Sequence, residues 1–145
     1  QGSIKVRSSR LQGIKVPNNL VSLSIDELPL VCLAAACAHG TTTIRNASEL
    51  RFKESDRIVA MAALLSELSI EVKELKDGLT INGGVITGGE IDSFGDHRIA
   101  MTALIASVCS KSDILVHNTE NIDTSFPNFV EIMNKLGMNI IDSEN

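Results

Sequence analysis

Two segments of this 145-residue chain combine residue types that do chemistry: Leu50-Arg51-Phe52-Lys53-Glu54-Ser55-Asp56-Arg57-Ile58 and Gly95-Asp96-His97-Arg98-Ile99-Ala100-Met101. Each sets cations where the following apolar pattern predicts the start of a helix. A helix N-terminus is the positive end of the macrodipole, so Lys or Arg there costs from a few tenths of a kcal/mol to about 1. The same terminus, with free backbone N–H groups beside a guanidinium, is a good anion site. Two such termini at equivalent places of a repeat can face one cleft. The competing reading is ordinary surface chemistry, in which Lys53, Glu54, Asp56 and Arg57 pair at i,i+3 and i,i+4 spacing and His97 is structural. The occurrence of both motifs in register favours the anion site.

Asp26, in Ile25-Asp26-Glu27-Leu28-Pro29, precedes an apolar run. It caps that helix, or it stands as a carboxylate at the rim of the same cleft, able to take a hydroxyl proton. Glu54, between Lys53 and Arg57, is a candidate proton donor or acceptor. Glu27 reads as solvated, and His39 and His117 receive no role. Gly83-Gly84 and Gly88-Gly89 follow no phosphate-loop pattern and read as turns.

The elements that must position these residues follow from periodicity. Ile4 to Ser8 alternates and reads as a strand, and Pro17-Asn18-Asn19 as a turn in an irregular stretch. Pro29 suits the first turn of a helix running to about Ala38, apolar on every side and therefore buried all round, with His39-Gly40 as its stop. Thr41 to Arg45 reads as a strand, and Ile58, Met61, Leu64, Leu65 and Leu68 mark a second helix ending at Leu68. Glu71 to Leu75 and Leu79 to Asn82, joined by Lys76-Asp77-Gly78, read as a hairpin. Then come weak strands at 85–87 and 89–93, a helix over 96–109, a strand over 113–116, a helix from Ser125-Phe126-Pro127 to Gly137, and a last strand over 138–141. Both halves run strand, helix, strand, helix, strand, and the more apolar helix comes first in each. This predicts an α/β (α+β) fold of repeated units, 4–84 and a shorter 85–145, with helices inside and sheets outside.

Thirteen basic and eighteen acidic residues give a net charge of −5, and there is no Trp or Tyr. That excludes a non-specific nucleic-acid binder. Cys32, Cys37 and Cys109 show no zinc or disulfide spacing; they read as buried free thiols in a reducing compartment. The longest apolar run, Leu28 to Ala38, is shorter than the roughly 20 residues a membrane span needs, and no signal peptide is legible. Gln1-Gly2-Ser3 reads as a tag scar.

The run Ile25 to Pro29, the segments LRFKESDRI and GDHRIAM, and Thr124-Ser125-Phe126-Pro127 resemble, in that order, the 5-enolpyruvylshikimate-3-phosphate synthases. The resemblance implies units of βαβαββ topology with inward-packed helices, two of them here with the second incomplete, and a chain that is the C-terminal third of such an enzyme. It implies transfer of the enolpyruvyl group of phosphoenolpyruvate to the 5-hydroxyl of shikimate 3-phosphate in the cytoplasm. It also implies no metal or organic cofactor, no nucleic-acid or membrane partner, and a need for the remaining N-terminal part of the enzyme, so that the chain alone is inactive. Carried over by motif, Asp26 is the proton acceptor at the shikimate hydroxyls and Lys53 lies near the shikimate phosphate. Glu54 handles the methylene proton, Arg57 and Arg98 clamp the phosphoenolpyruvate carboxylate, and Asp96 and His97 line the pocket. Some members carry a lysine where this chain has Thr124 or Ser125, so that contact does not carry over. The alternatives are the related UDP-N-acetylglucosamine enolpyruvyl transferase and a non-catalytic binding domain of the same fold.

Overall fold

A computed structural model describes residues 2–142. Residues 11–16 run parallel to the chain around Thr41, with bridges Gln12–His39 and Lys15–Thr43. Between them lie α1 (Asn18–Leu23) and α2 (Leu28–Ala36). Strand β1 (Thr41–Ile44) leads through a 3-10 turn (Ser48–Phe52) to α3 (Arg57–Glu67). The hairpin β2 (Glu71–Leu75) and β3 (Gly78–Asn82) follows, with β3 central and antiparallel to both β1 and β2. In the second half β4 (Gly89–Asp92), α4 (His97–Ala106) and β5 (Ile114–His117) make a parallel strand–helix–strand unit, followed by α5 (Ile122–Ser125) and α6 (Phe129–Lys135). The parallel pair 11–16 with β1 and the parallel pair β4 with β5 are equivalent crossovers.

Helices α2, α3 and α4 pack on one another, with β2 and β3 against one side and β4 and β5 against another. Leu28, Cys32 and Leu33 of α2, Ile58, Met61, Leu64 and Leu65 of α3, and Ile99 and Ala103 of α4 close the core with Ile81 and Ile91 from the sheets. The helices are inside and the sheets outside, as the apolar first helices predict. Asp56 caps α3, its Oδ1 accepting from the Ile58 and Val59 N–H groups at 3.1 Å. Asp96 caps α4, accepting from the Arg98 N–H at 2.9 Å. Both are ordinary Asp caps.

Several local expectations are corrected. Ile4 and Val6 are 94% and 88% exposed and form no strand, because nothing among the described residues covers them; the paired segment is 11–16. Pro17 opens α1 rather than a turn, its carbonyl accepting from the Leu20 and Val21 N–H groups. Helix α2 is not buried all round, since Leu30 is 49% exposed and Ala34 faces outward. Glu27, not Asp26, sits at its cap position, without a side-chain bond. Pro127 falls in the break between α5 and α6, where Asn128 takes a left-handed conformation (φ 65°), so that region is two short helices. Residues 85–87 and 138–141 belong to no strand. Cys32 is buried, which pushes its thiol up to about 12, whereas Cys37 and Cys109 are exposed at the ends of their helical segments. Of the suspected tag scar, Gln1 lies outside the described residues, as do 143–145 of the second expected unit.

Candidate active site

The N-terminal ends of α2, α3 and α4 meet, and the site is built there. Arg57, the first residue of α3, is 1% exposed, which for a guanidinium requires full compensation by partners. Its Nε donates to Asp96 Oδ2 at 2.8 Å and its Nη2 to Asp96 Oδ1 at 3.3 Å. Nη1 donates to Asp26 Oδ1 at 3.1 Å, and Nη2 also to Glu54 Oε2 at 2.5 Å. One cation is thus shared by three carboxylates from three separate stretches of chain.

Asp96 is fully buried. Besides Arg57 and the Arg98 amide it accepts from Ser55 Oγ at 3.0 Å. Burial alone pushes its carboxyl up; the hydrogen bond and charge of Arg57, with the Arg98 amide and the Ser55 hydroxyl, outweigh that and hold it below the usual carboxylate range. Burial likewise opposes the charge on Arg57, and the bonds to Asp96 and Asp26 with the charge of Glu54 raise it on balance. No buried side-chain nitrogen or oxygen among the described residues lacks a hydrogen-bond partner.

Around this core stand the more accessible groups. Arg98 Nη1 donates to the Asp26 carbonyl at 3.0 Å, and its Nη2 lies 3.6 Å from Asp26 Oδ2. Lys53 Nζ donates to Glu49 Oε1 at 2.8 Å and lies 3.8 Å from Asp26 Oδ1. The Glu49 bond raises the lysine, ahead of the opposing effect of desolvation. The Glu54 side chain is 52% exposed although bonded to Arg57. Asp26 is therefore not a helix cap: it is the carboxylate on which Arg57, Arg98 and Lys53 converge.

The structure brings together Asp26, Lys53, Glu54, Arg57, Asp96 and Arg98. His97 begins α4, half-buried, with no hydrogen bond to the cluster. Thr124 and Ser125 are exposed in α5. Sequence reasoning missed Ser55 and Arg51. Their partners lie 41 residues away for Ser55 and up to 25 for Arg51, and no local pattern signals bonds of that range. Among the described residues no group of three His, Cys, Asp or Glu is placed to hold a metal ion, and no helix is long and apolar enough to cross a membrane.

Inward helices whose N-termini gather acids and bases at one point have the architecture of the enolpyruvyl transferase fold. The chain superposes on the enolpyruvyl transferase NikO from Streptomyces tendae with a TM-score of 0.65 at 24% identity, over 79% of this chain and 25% of that one. It superposes on EPSP synthase from Acinetobacter baumannii with a TM-score of 0.87 at 40% identity, over 93% of this chain and 32% of that one. The family model for EPSP synthase (3-phosphoshikimate 1-carboxyvinyltransferase) matches residues 1–133. The 3-phosphoshikimate 1-carboxyvinyltransferases of Coxiella burnetii and Ruthia magnifica are 49% identical over 137 residues and 50% over 139. Each alignment takes in 94% of this chain, and 31% and 32% of those proteins. The chain belongs to the EPSP synthase family, and it spans about a third of the length of the curated relatives it matches.

Proposed function

We propose that this segment forms one wall of the active site of an enzyme that transfers the enolpyruvyl group of phosphoenolpyruvate to the 5-hydroxyl of shikimate 3-phosphate. The reaction releases inorganic phosphate and belongs to the route to chorismate and the aromatic amino acids. The observation that carries the reading is the convergence of Asp26, Lys53, Glu54, Arg57, Asp96 and Arg98 on three helix N-termini. Both substrates are polyanions, and cations held at helix N-termini are what such ligands need.

In this reading Asp26 takes the proton of the 5-hydroxyl as its oxygen bonds to C2 of phosphoenolpyruvate, while Glu54 delivers a proton to the methylene carbon. The tetrahedral intermediate then loses phosphate from C2 and a proton from the methyl carbon, restoring the enolpyruvyl double bond. Lys53, beside Asp26, meets the hydroxyls and phosphate of shikimate 3-phosphate. Arg98 and Arg57 meet the phosphoenolpyruvate carboxylate, a planar match for a guanidinium. Each nitrogen of the buried Arg57 guanidinium already donates to a carboxylate, and the half-exposed Glu54 carboxylate is the most accessible of them, so a ligand carboxylate reaches Arg57 by taking its place. That exchange frees Glu54 from the cation, so that it takes up a proton from solvent and then delivers it to the methylene carbon. Asp96 keeps Arg57 in place, and His97 lines the rim.

The remaining contacts come from the other two thirds of the enzyme, whose absence leaves the chain alone inactive. The cytoplasm suits three free thiols. The test is phosphate release from phosphoenolpyruvate by the full-length enzyme with shikimate 3-phosphate, with UDP-N-acetylglucosamine as the competing acceptor, and by the 145-residue chain alone. Release with shikimate 3-phosphate in the full-length enzyme only is expected. Release with the UDP-sugar instead, or with neither, overturns the reading.

A further inference from the structure

We infer that Arg51 is a positioning residue for the site: it fixes the loop of Lys53, Glu54 and Ser55 against the β2–β3 hairpin, and thereby sets where the Lys53 ammonium and the Glu54 carboxylate stand. The inference rests on the functional reading above, because Glu54 must have a task for its placement to matter.

Every nitrogen of the Arg51 guanidinium donates to protein, in four bonds. Nε donates to the Lys76 carbonyl at 2.9 Å, and Nη2 to the Leu75 carbonyl at 2.7 Å and to Glu74 Oε1 at 2.8 Å. Nη1 donates to Asp56 Oδ2 at 2.8 Å. The other oxygen of Asp56 caps α3, so one planar fork joins the hairpin turn to the start of the helix that carries Arg57. A lysine, with its donors on a single nitrogen, cannot span those four acceptors.

The loop has few other anchors. Lys53, Glu54 and Ser55 belong to no helix or strand, and Phe52 is 83% exposed and adds no burial. Leu50 is buried ahead of the loop, and Ser55 is tied to Asp96 at its far side. Between those points the loop is held through Arg51 and through the half-exposed side-chain pairs Lys53–Glu49 and Glu54–Arg57. Four of the five N–H donors of Arg51 are used within the protein, on the hairpin and the α3 cap and not on Asp26 or Asp96, which separates its role from those of Arg57 and Arg98.

The experiment compares Arg51→Met, Arg51→Lys, Glu54→Gln and the double variant Arg51→Met/Glu54→Gln in the full-length enzyme, reading kcat and KM for both substrates after each is shown to fold. Arg51→Met is expected to lower kcat about ten- to a hundredfold, the scale for misplacing a catalytic group by about 1 Å, with KM for phosphoenolpyruvate little changed. Arg51→Lys is expected to recover part of that. On the Glu54→Gln background the same change is expected to cost less than about threefold, because the group it places is already lost. Losses that multiply in full, or wild-type kcat in folded Arg51→Met, overturn the role. If Arg51→Met does not fold, Glu74→Gln decides, since it weakens one anchor at a half-exposed position: a several-fold drop in kcat that shrinks on the Glu54→Gln background supports the role, and unchanged kcat overturns it. A wild-type enzyme that turns over neither substrate overturns the functional reading itself, a result distinct from either.

Discussion

Arg57 Nε donates to Asp96 Oδ2 at 2.8 Å, joining two side chains that are 1% and 0% exposed and 39 residues apart in sequence. The bond locks the first residue of α3 to the cap of α4. Removing one member of such a pair leaves a buried charge without its partner, which costs about 3–5 kcal/mol. Asp96→Ala in the full-length enzyme is therefore expected to lose about that much in denaturant unfolding, helped by loss of the α4 cap. Asp96→Asn, which keeps an acceptor for the Arg98 amide, is expected to lose less. Equal stability of wild type and Asp96→Ala would mean that Glu54 and Asp26 alone neutralise Arg57.

The same pair sets an acid limit. The carboxyl of Asp96 is held low in the folded protein, whereas an unperturbed Asp titrates near about 3.9 when unfolded. A depressed carboxylate contributes stability that is present in full above its unfolded value and is lost as pH falls through the folded one. The melting temperature of the wild type is expected to fall steeply below about pH 4, and that of Asp96→Asn to fall less over the same interval. Parallel pH profiles would assign the acid sensitivity elsewhere, with Asp77 and Asp92, also held low, as the next groups to replace.

Arg57 and Arg98 differ in burial, and their substitutions are expected to separate accordingly. Arg98 is one-third exposed, and its partners are Asp26 and Glu27. Arg98→Ala is expected to weaken phosphoenolpyruvate binding by about 2–5 kcal/mol with little change in melting temperature. Arg57→Ala is expected to lose binding and stability together, because it strands Asp96. Calorimetric binding alongside thermal melts reads both. An Arg98→Ala enzyme with wild-type affinity removes that residue from the site.

In the proposed reaction the ligand carboxylate displaces Glu54 from Arg57. Glu54→Gln removes the charge of that internal competitor while keeping its shape, so the variant is expected to bind phosphoenolpyruvate more tightly while its turnover falls. A direct binding measurement in the presence of shikimate 3-phosphate gives the sign. Weaker binding would mean that Glu54 stays on Arg57 when the ligand arrives.

Much of this is legible in the amino-acid sequence. β-branching predicts β1, 3.6-residue periodicity α3, alternation around Asp77-Gly78 the β2–β3 hairpin, and a nearly continuous apolar run α4, because each of these signals is local. The two cation-bearing helix starts point to Lys53, Glu54, Arg57, Asp96 and Arg98, and the acid ahead of the apolar run to Asp26; the fold brings these six together. What was not legible depends on partners far off in sequence. Ile4 to Ser8 alternates like a strand, yet Ile4 and Val6 have no surface to cover among the described residues. Asp26 reads in the sequence as a cap, yet it lies one residue ahead of the Glu27 cap position, and only the approach of α3 and α4 makes it an ion-pair partner. The full burial of Arg57 follows from three carboxylates arriving at once, which no spacing within one segment encodes.

Gly83 shows the same limit and carries a last prediction. Next to Gly84 after a strand it reads as a turn glycine, yet its backbone is pressed on the end of α2. A Cβ built there would lie 1.7 Å from the Ala38 carbonyl oxygen and 3.1 Å from that of Ala35. The neighbouring bonds leave no slack: the Gly83 N–H donates to the Gly40 carbonyl at 3.0 Å and the Gly84 N–H to the Ala36 carbonyl at 2.9 Å. The obstacle is main chain, so no side-chain rotation relieves it. Gly83→Ala is expected to destabilise by about 1–3 kcal/mol or more as α2 is pushed off β3. Gly84→Ala, where the nearest atom is the Ile70 side-chain methyl at 3.4 Å, is expected to be nearly neutral. Because Asp26 lies two residues ahead of α2, the shift is also expected to lower kcat. Equal melting temperatures for the two variants would mean that α2 yields at its C-terminal end without disturbing the sheet.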